Sequence, residues 1–211
     1  MALVYQADLR PTKLELLNDW VPRQLWYRGG EAPQLQRSAS FRFDDPAGEV
    51  GVETLLVQSG EGPVYQVPLT YRGEALPGGE ASLIGILEHS VLGRRWVYDA
   101  CADPVYLAEL ATTVLNGGTQ VQEFVDTDGH PEPREPSAVV SGSGRAATRI
   151  APIDSVTVIS KDDSTVIRTN QLELEIFRIP GESAAALGAE TLTATWVDGM
   201  APVVLAAVRA A

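Results

Sequence analysis

The sequence predicts an α+β fold, and three observations point to it. Two segments carry apolar residues at helical spacing between recognisable start and stop signals. Most of the remaining chain is short runs of alternating or continuous apolar residues, as strands are. Gly-, Pro-, Asp- and Asn-rich turn signals divide those runs at regular intervals. At 211 residues the chain fits one large domain or two small ones, with ample length for a core.

Leu3 to Ala7 read as a short strand or extended arm. Pro11 then stands before the first helix, with Thr12 as its cap and Glu15 at capping-box spacing. Leu14, Leu17 and Val21 recur at helical intervals and lead into WVPRQLWYRGG, residues 20–30. Trp20, Trp26 and Tyr27 end this helix and anchor it to a sheet, and the Gly29–Gly30 pair turns the chain. Three strands follow. SASFRF places Phe41 and Phe43 on one face, Val50–Gln58 is the second, and Val64–Tyr71 places Tyr65, Val67, Leu69 and Tyr71 on one face. Pro68 inside the third indicates an edge position or a bulge, and an edge at Val64–Tyr71 or Val203–Val208 would suit a homodimer. SLIGILEHSVLG is ambiguous between helix and extended chain, and RRWVYDA, with Trp96 and Tyr98, is a strand.

DPVYLAELATTVLNGG is the clearest helix. Asp103 caps it, Pro104 fills its first turn, and Asn116–Gly117–Gly118 stops it. Val105, Leu107, Leu110, Val114 and Leu115 form the face that packs on a sheet. Thr119–Phe124 reads as one more strand. Residues 126–147 hold four acidic residues, three Pro, three Gly and three Ser with little apolar content, which reads as a loop or linker. The division is therefore 1–125, a 126–147 linker, and 148–211, whose strands are VTVIS, STVIRTN, LELEIFRI, TLTATWV and PVVLAAVRA. In LELEIF, Leu172, Leu174 and Ile176 share one face.

Composition narrows function. The formal net charge is −12, and no local basic patch offsets it, so no nucleic-acid partner is expected. The one cysteine, Cys101, lies among small residues and reads as a buried hydrophobe. Asp8 and Arg10 interrupt the N-terminus too early for a signal peptide's apolar region, and no apolar run approaches the ~20 residues of a membrane helix. A cytoplasmic protein with no membrane partner is expected.

Chemistry is sparse. His89 and His130 are far apart and neither has a ligand at metal spacing, so no metal and no cofactor are expected. No serine occupies a GxSxG elbow. SGSGRAAT at 141–148, Gly- and Ser-rich with an Arg, admits two readings, a phosphate cradle or a flexible linker, and its lack of a full phosphate-loop pattern favours the linker. Asp44–Asp45 and Asp162–Asp163 read as turn formers. Trp20, Trp26, Tyr27 and Trp96 admit two readings, a platform for a sugar ring or a core between helix and sheet.

Trp20, Arg23, Gln24, Trp26, Tyr27 and Gly29 resemble the start of the N-terminal cap domain of actinobacterial maltokinases, a cap shared with aminosugar kinases. Tyr65, Gln66, Pro68 and Leu69 resemble that family's YQ-x-PL strand, and Tyr98, Asp99, Ala100 and Asp103 its approach to the second helix. STVIRTNQLELEIFR is similar to the kinase N-lobe segment that ends in LKLFR, with Glu175 where the nucleotide-binding lysine would stand. A carboxylate there repels a triphosphate. No HxD-type catalytic loop follows. The resemblance implies an antiparallel cap sheet with two packed helices, then an N-lobe-like β-rich half without kinase activity. It further implies a stand-alone interaction or regulatory module in glucan, trehalose or aminosugar metabolism, partnered by a sugar-metabolism enzyme. The alternative is a sensor that binds a sugar or nucleotide between the halves through Trp20, Arg23, Gln24, Trp26, Tyr27 and Trp96 and the 141–148 loop.

Overall fold

The computed structural model describes every residue except 1, 5, 6, 128, 129, 146, 182–184 and 186. Parts of the expected 3–7 strand, the 126–147 linker, the 141–148 loop and the turn after Pro180 therefore lie outside the described residues. In the first half the strands, in chain order, are β1 (Ala2–Val4), β2 (Leu9–Arg10), β3 (Leu35–Phe43), β4 (Gly51–Ser59), β5 (Tyr65–Arg72), β6 (Leu83–His89) and β7 (Gly93–Asp99). All but β1 form a curled antiparallel sheet in the order β2-β6-β7-β5-β4-β3.

The helix α1 (Lys13–Trp20) lies against this sheet. Its capping box forms as the sequence indicates: Glu15 N–H donates to Thr12 Oγ1 at 3.2 Å and Thr12 N–H to the Glu15 carboxylate at 2.7 Å. Leu17, Val21 and Trp26 are buried with Leu55, Val67 and Leu69 of the sheet. The ambiguous SLIGILEH segment is strand β6, because pairing with β7 decides what its weak periodicity does not.

The helix α2 (Pro104–Leu115) follows, with Asp103 accepting from Val105 N–H at 3.0 Å as its cap. It is the common layer of the fold. Leu107, Leu110 and Val114 join Phe41, Val52 and Leu56 from the first sheet and Ile167, Leu174 and Leu205 from the second in one apolar core. Among the described residues no helix is long and apolar enough to cross a membrane.

Beyond α2 come β8 (Glu123–Thr127), β9 (His130–Arg134), β10 (Val139–Gly142), β11 (Val156–Ser160), β12 (Ser164–Thr169), β13 (Leu172–Phe177), β14 (Glu190–Thr195) and β15 (Val203–Ala210). A small sheet has the order β1-β8-β9, and the second six-stranded antiparallel sheet the order β10-β14-β15-β13-β12-β11.

Two expectations need correction. The expected linker holds two strands: β9 pairs with β8, and β10 pairs with β14 from Val139 to Gly142. Ala138 and Val140 are buried in the common core, so this polar-looking stretch is tied down by its few apolar residues. The strands named as edges are internal, since β5 lies between β4 and β7 and β15 between β14 and β13. Pro68 is tolerated there because β7 pairs with β5 only from Leu69 onward, so the missing N–H breaks no ladder on that side.

Candidate functional site

The six residues singled out by sequence do not meet in one site. Trp26 is 1 % exposed, with its ring 5.8 Å from Trp20 and 5.7 Å from Tyr65, and Tyr27 stacks 5.3 Å from Tyr65. These rings are the core between helix and sheet. Gln24 turns back, its amide donating to the Trp20 carbonyl at 3.1 Å, and Arg23 is exposed. Trp96 neighbours Val97, which faces the α1 side, so the alternation of the strand sends Trp96 to the opposite face.

What sequence reasoning missed is Arg178. It follows β13 and is 1 % exposed, yet it carries a full charge. Nη2 donates to Asp99 at 2.6 Å and to the Cys101 sulfur at 3.2 Å, Nε donates to Thr165 at 2.8 Å, and the guanidinium sits 5.1 Å from the Trp26 ring centroid. Burial works against the charge, but Asp99 outweighs it and holds the guanidinium protonated. Backbone bonds complete the junction: Gln66 N–H donates to the Arg178 carbonyl at 2.9 Å, and the Gln66 amide donates to the Leu205 carbonyl at 3.1 Å. Ile179 is buried among the α1-side residues. The signal in the sequence was a lone Arg between Phe177 and Ile179, but its partner Asp99 lies 79 positions away. Burial pushes the Cys101 thiol well above its usual range, so it stays an unreactive thiol.

The described part of the 141–148 stretch packs on α2. Gly142 and Gly144 press onto the C-terminal turn of α2, where a Cβ would lie 2.2 Å from the Thr113 carbonyl oxygen and 2.1 Å from that of Leu115. Glycine is required by this approach, and the carbonyl end of a helix repels anions. Glu175 points to the outer face of β13, accepting from Ser164 at 2.8 Å and Lys161 at 3.3 Å, over a depression of about 30 Å³. Among the described residues no group of three or more His, Cys, Asp or Glu is placed to hold a metal.

Two features remain. The first is a cavity of about 380 Å³ beside the first sheet, lined by Lys13 at the N-terminus of α1 and by Arg42, Val52, Tyr71 and Leu87. Beside it Glu53, 3 % exposed, accepts from Lys13 at 2.5 Å and from the Tyr71 hydroxyl at 2.8 Å, with Arg42 at 3.9 Å. Burial alone would raise the Glu53 carboxyl, but Lys13, Arg42 and Tyr71 overcome it and hold the pKa at about 2. Since the unfolded carboxyl titrates near 4.5, the stability this pairing gives is complete above pH 4.5. It is lost as pH falls towards about 2, a difference of about 3 kcal/mol. Urea unfolding of Glu53→Gln at pH 7, 4.5 and 2.5 should therefore show a much flatter acid dependence than the parent protein. Equal slopes would contradict the assignment. His89, which lines the same cavity, is held below the usual histidine range by burial and then by Arg95 and Lys13.

The second feature is the edge strand β11, which among the described residues pairs with β12 alone. Val158 is 40 % and Ile159 37 % exposed there. Among the described residues β6 is also open from Leu83 to Leu87, beyond its two pairs with β2, and several other edges are guarded. β1 and β2 are three and two residues long, and β9 carries Pro131 and Pro133. Ser40 of β3 is bonded through both N–H and C=O to Ser137 Oγ, and β10 is bridged to Thr119.

No curated protein matches the chain at a significant level. Residues 20–103, which run from the aromatic end of α1 to the cap residue of α2, match the family model of the maltokinase N-terminal cap domain, the family to which this part of the chain is similar.

Proposed function

We propose that this protein is a binding module without kinase activity, and that it takes up an extended segment of a partner protein at β11. One observation carries the reading: among the described residues the five-residue edge strand β11 pairs only with β12, and it bears the exposed side chains of Val158 and Ile159. An added strand would satisfy that backbone and bury both side chains, the mode known as β-augmentation. The net charge of −12 favours a partner segment carrying Lys or Arg. The match to a maltokinase cap supports a partner among enzymes of glucan, trehalose or aminosugar metabolism.

Tagged parent protein and a Val158→Pro variant, isolated from the native lysate, test this; the register that pairs Lys161 N–H with the Ser164 carbonyl turns the Val158 N–H to the open edge. Proline removes an N–H and blocks strand addition at the edge. The parent is expected to retain a stoichiometric partner and the variant to lose at least 90 % of it with unchanged circular dichroism. Equal recovery would contradict the reading, as would sugar-dependent ATP turnover by the purified protein. If the partner is a second copy, the parent elutes as a dimer and the variant as a monomer.

A further inference from the structure

The second sheet carries a charged row that runs out to the edge at β11. Pairing sets Arg209 beside Glu173, Glu173 beside Arg168, and Arg168 beside Thr157. Arg209 Nη2 and Arg168 Nε both donate to the Glu173 carboxylate, the latter at 3.0 Å. The row thus alternates cation, anion, cation, and then stops at a short neutral residue that is itself exposed. The Arg168 side chain is 62 % exposed, and its two terminal nitrogens have no partner among the described residues.

The neighbouring positions of β11 are apolar. Val158 lies beside Ile167 of the common core, and Val156 packs on that core. These two share the inner face, and Ile159, beside Val166, shares the outer face with Thr157. The bond from Lys161 N–H to the Ser164 carbonyl fixes the alternation of the backbone, so Val156, Val158 and Ser160 turn their N–H and C=O groups to the open edge.

We propose that the segment taken up at β11 runs antiparallel to it and carries one acidic residue, set against Thr157, between apolar residues set against Val158 and Val156. This rests on the strand-addition reading and adds the sequence that the edge selects. Every pairing in this sheet is antiparallel. From its N-terminus the added strand therefore reads apolar, apolar, acidic, apolar, facing Ile159, Val158, Thr157 and Val156 in turn. The acidic position lies two strand spacings from Arg168, about 10 Å, which an arginine and a glutamate span together over the short Thr157. It extends the alternation of Arg209, Glu173 and Arg168 by one anion, and the open side of the guanidinium fork suits a carboxylate. A lysine there would meet Arg168 as a like charge. The basic residues that the net charge favours fall outside these four positions, towards Asp154 and Asp162, which are exposed beyond the two ends of β11.

Selection from a displayed library of random nine-residue segments tests the proposal, with the parent protein and the Val158→Pro, Arg168→Gln and Arg168→Glu variants as targets. The parent is expected to enrich Asp or Glu about threefold at one position with apolar residues on both sides, and Val158→Pro to enrich none of these segments. Arg168→Gln should abolish the acidic preference while the apolar pattern remains, and Arg168→Glu should replace it with Lys or Arg. Should Val158→Pro not fold, amide NMR shifts of the parent confined to β11 and β12 on titrating the strongest segment place it at the edge. Segments that bind at β11 without an acidic position, or with one that Arg168→Glu leaves unchanged, would overturn the proposal and leave strand addition standing. No enrichment on the parent, or selection that a folded Val158→Pro leaves unaltered, would overturn both.

Discussion

Arg178→Met is expected to destabilise the protein by about 3–5 kcal/mol, the cost of leaving one member of a buried ion pair behind. Methionine fills much of the space, so the loss is electrostatic. Asp99, with a side chain 13 % exposed, would keep its charge and lose the guanidinium 2.6 Å away. Thr165 and the Cys101 sulfur would lose their donor as well. For a chain of this length the melting temperature should fall by roughly 10 °C. The double variant Arg178→Met/Asp99→Asn removes the stranded charge and should recover part of the loss. A single variant as stable as the parent in urea unfolding would show that the junction between the sheets does not rest on Arg178.

Trp26→Ala should cost a similar amount, about 3–5 kcal/mol, through the cavity left by a fully buried indole. The ring is 1 % exposed and packs on Trp20, Tyr65 and the Arg178 guanidinium. Trp20, only partly buried, should cost clearly less when truncated. Because Trp26 and Arg178 touch, their losses should not add, and a double-mutant cycle should return a coupling of about 1 kcal/mol. A sugar platform would behave differently: Trp26→Ala would then leave the melting temperature unchanged and remove only ligand binding.

These two residues also mark where the sequence was legible and where it was not. Local signals carried through. Thr12 and Glu15 make their capping box, Asp103 and Pro104 start α2, and Phe41, Phe43, Tyr65 and Val67 lie on the faces that alternation assigned to them. Long-range pairing was hidden. β10 carries only Val139 and Val140 as apolar residues in a Pro-, Gly- and Ser-rich stretch, and its partner β14 begins some 50 positions later. Arg178 reads as an ordinary strand-end cation until the fold brings Asp99 and Trp26 to it. The Glu53 cluster draws Lys13, Arg42 and Tyr71 from one helix and two further strands, so no spacing in the chain could reveal it. Conversely, the aromatic richness of residues 20–30 was visible at once, and it serves packing.

The edge at β11 is best tested by hydrogen exchange of the protein with and without the partner recovered from its lysate. The account predicts that amides of Val156–Ser160 exchange at least tenfold more slowly in the complex, while those of α1 and β5 change little. Unchanged exchange in β11, with protection confined to the first sheet, would contradict it.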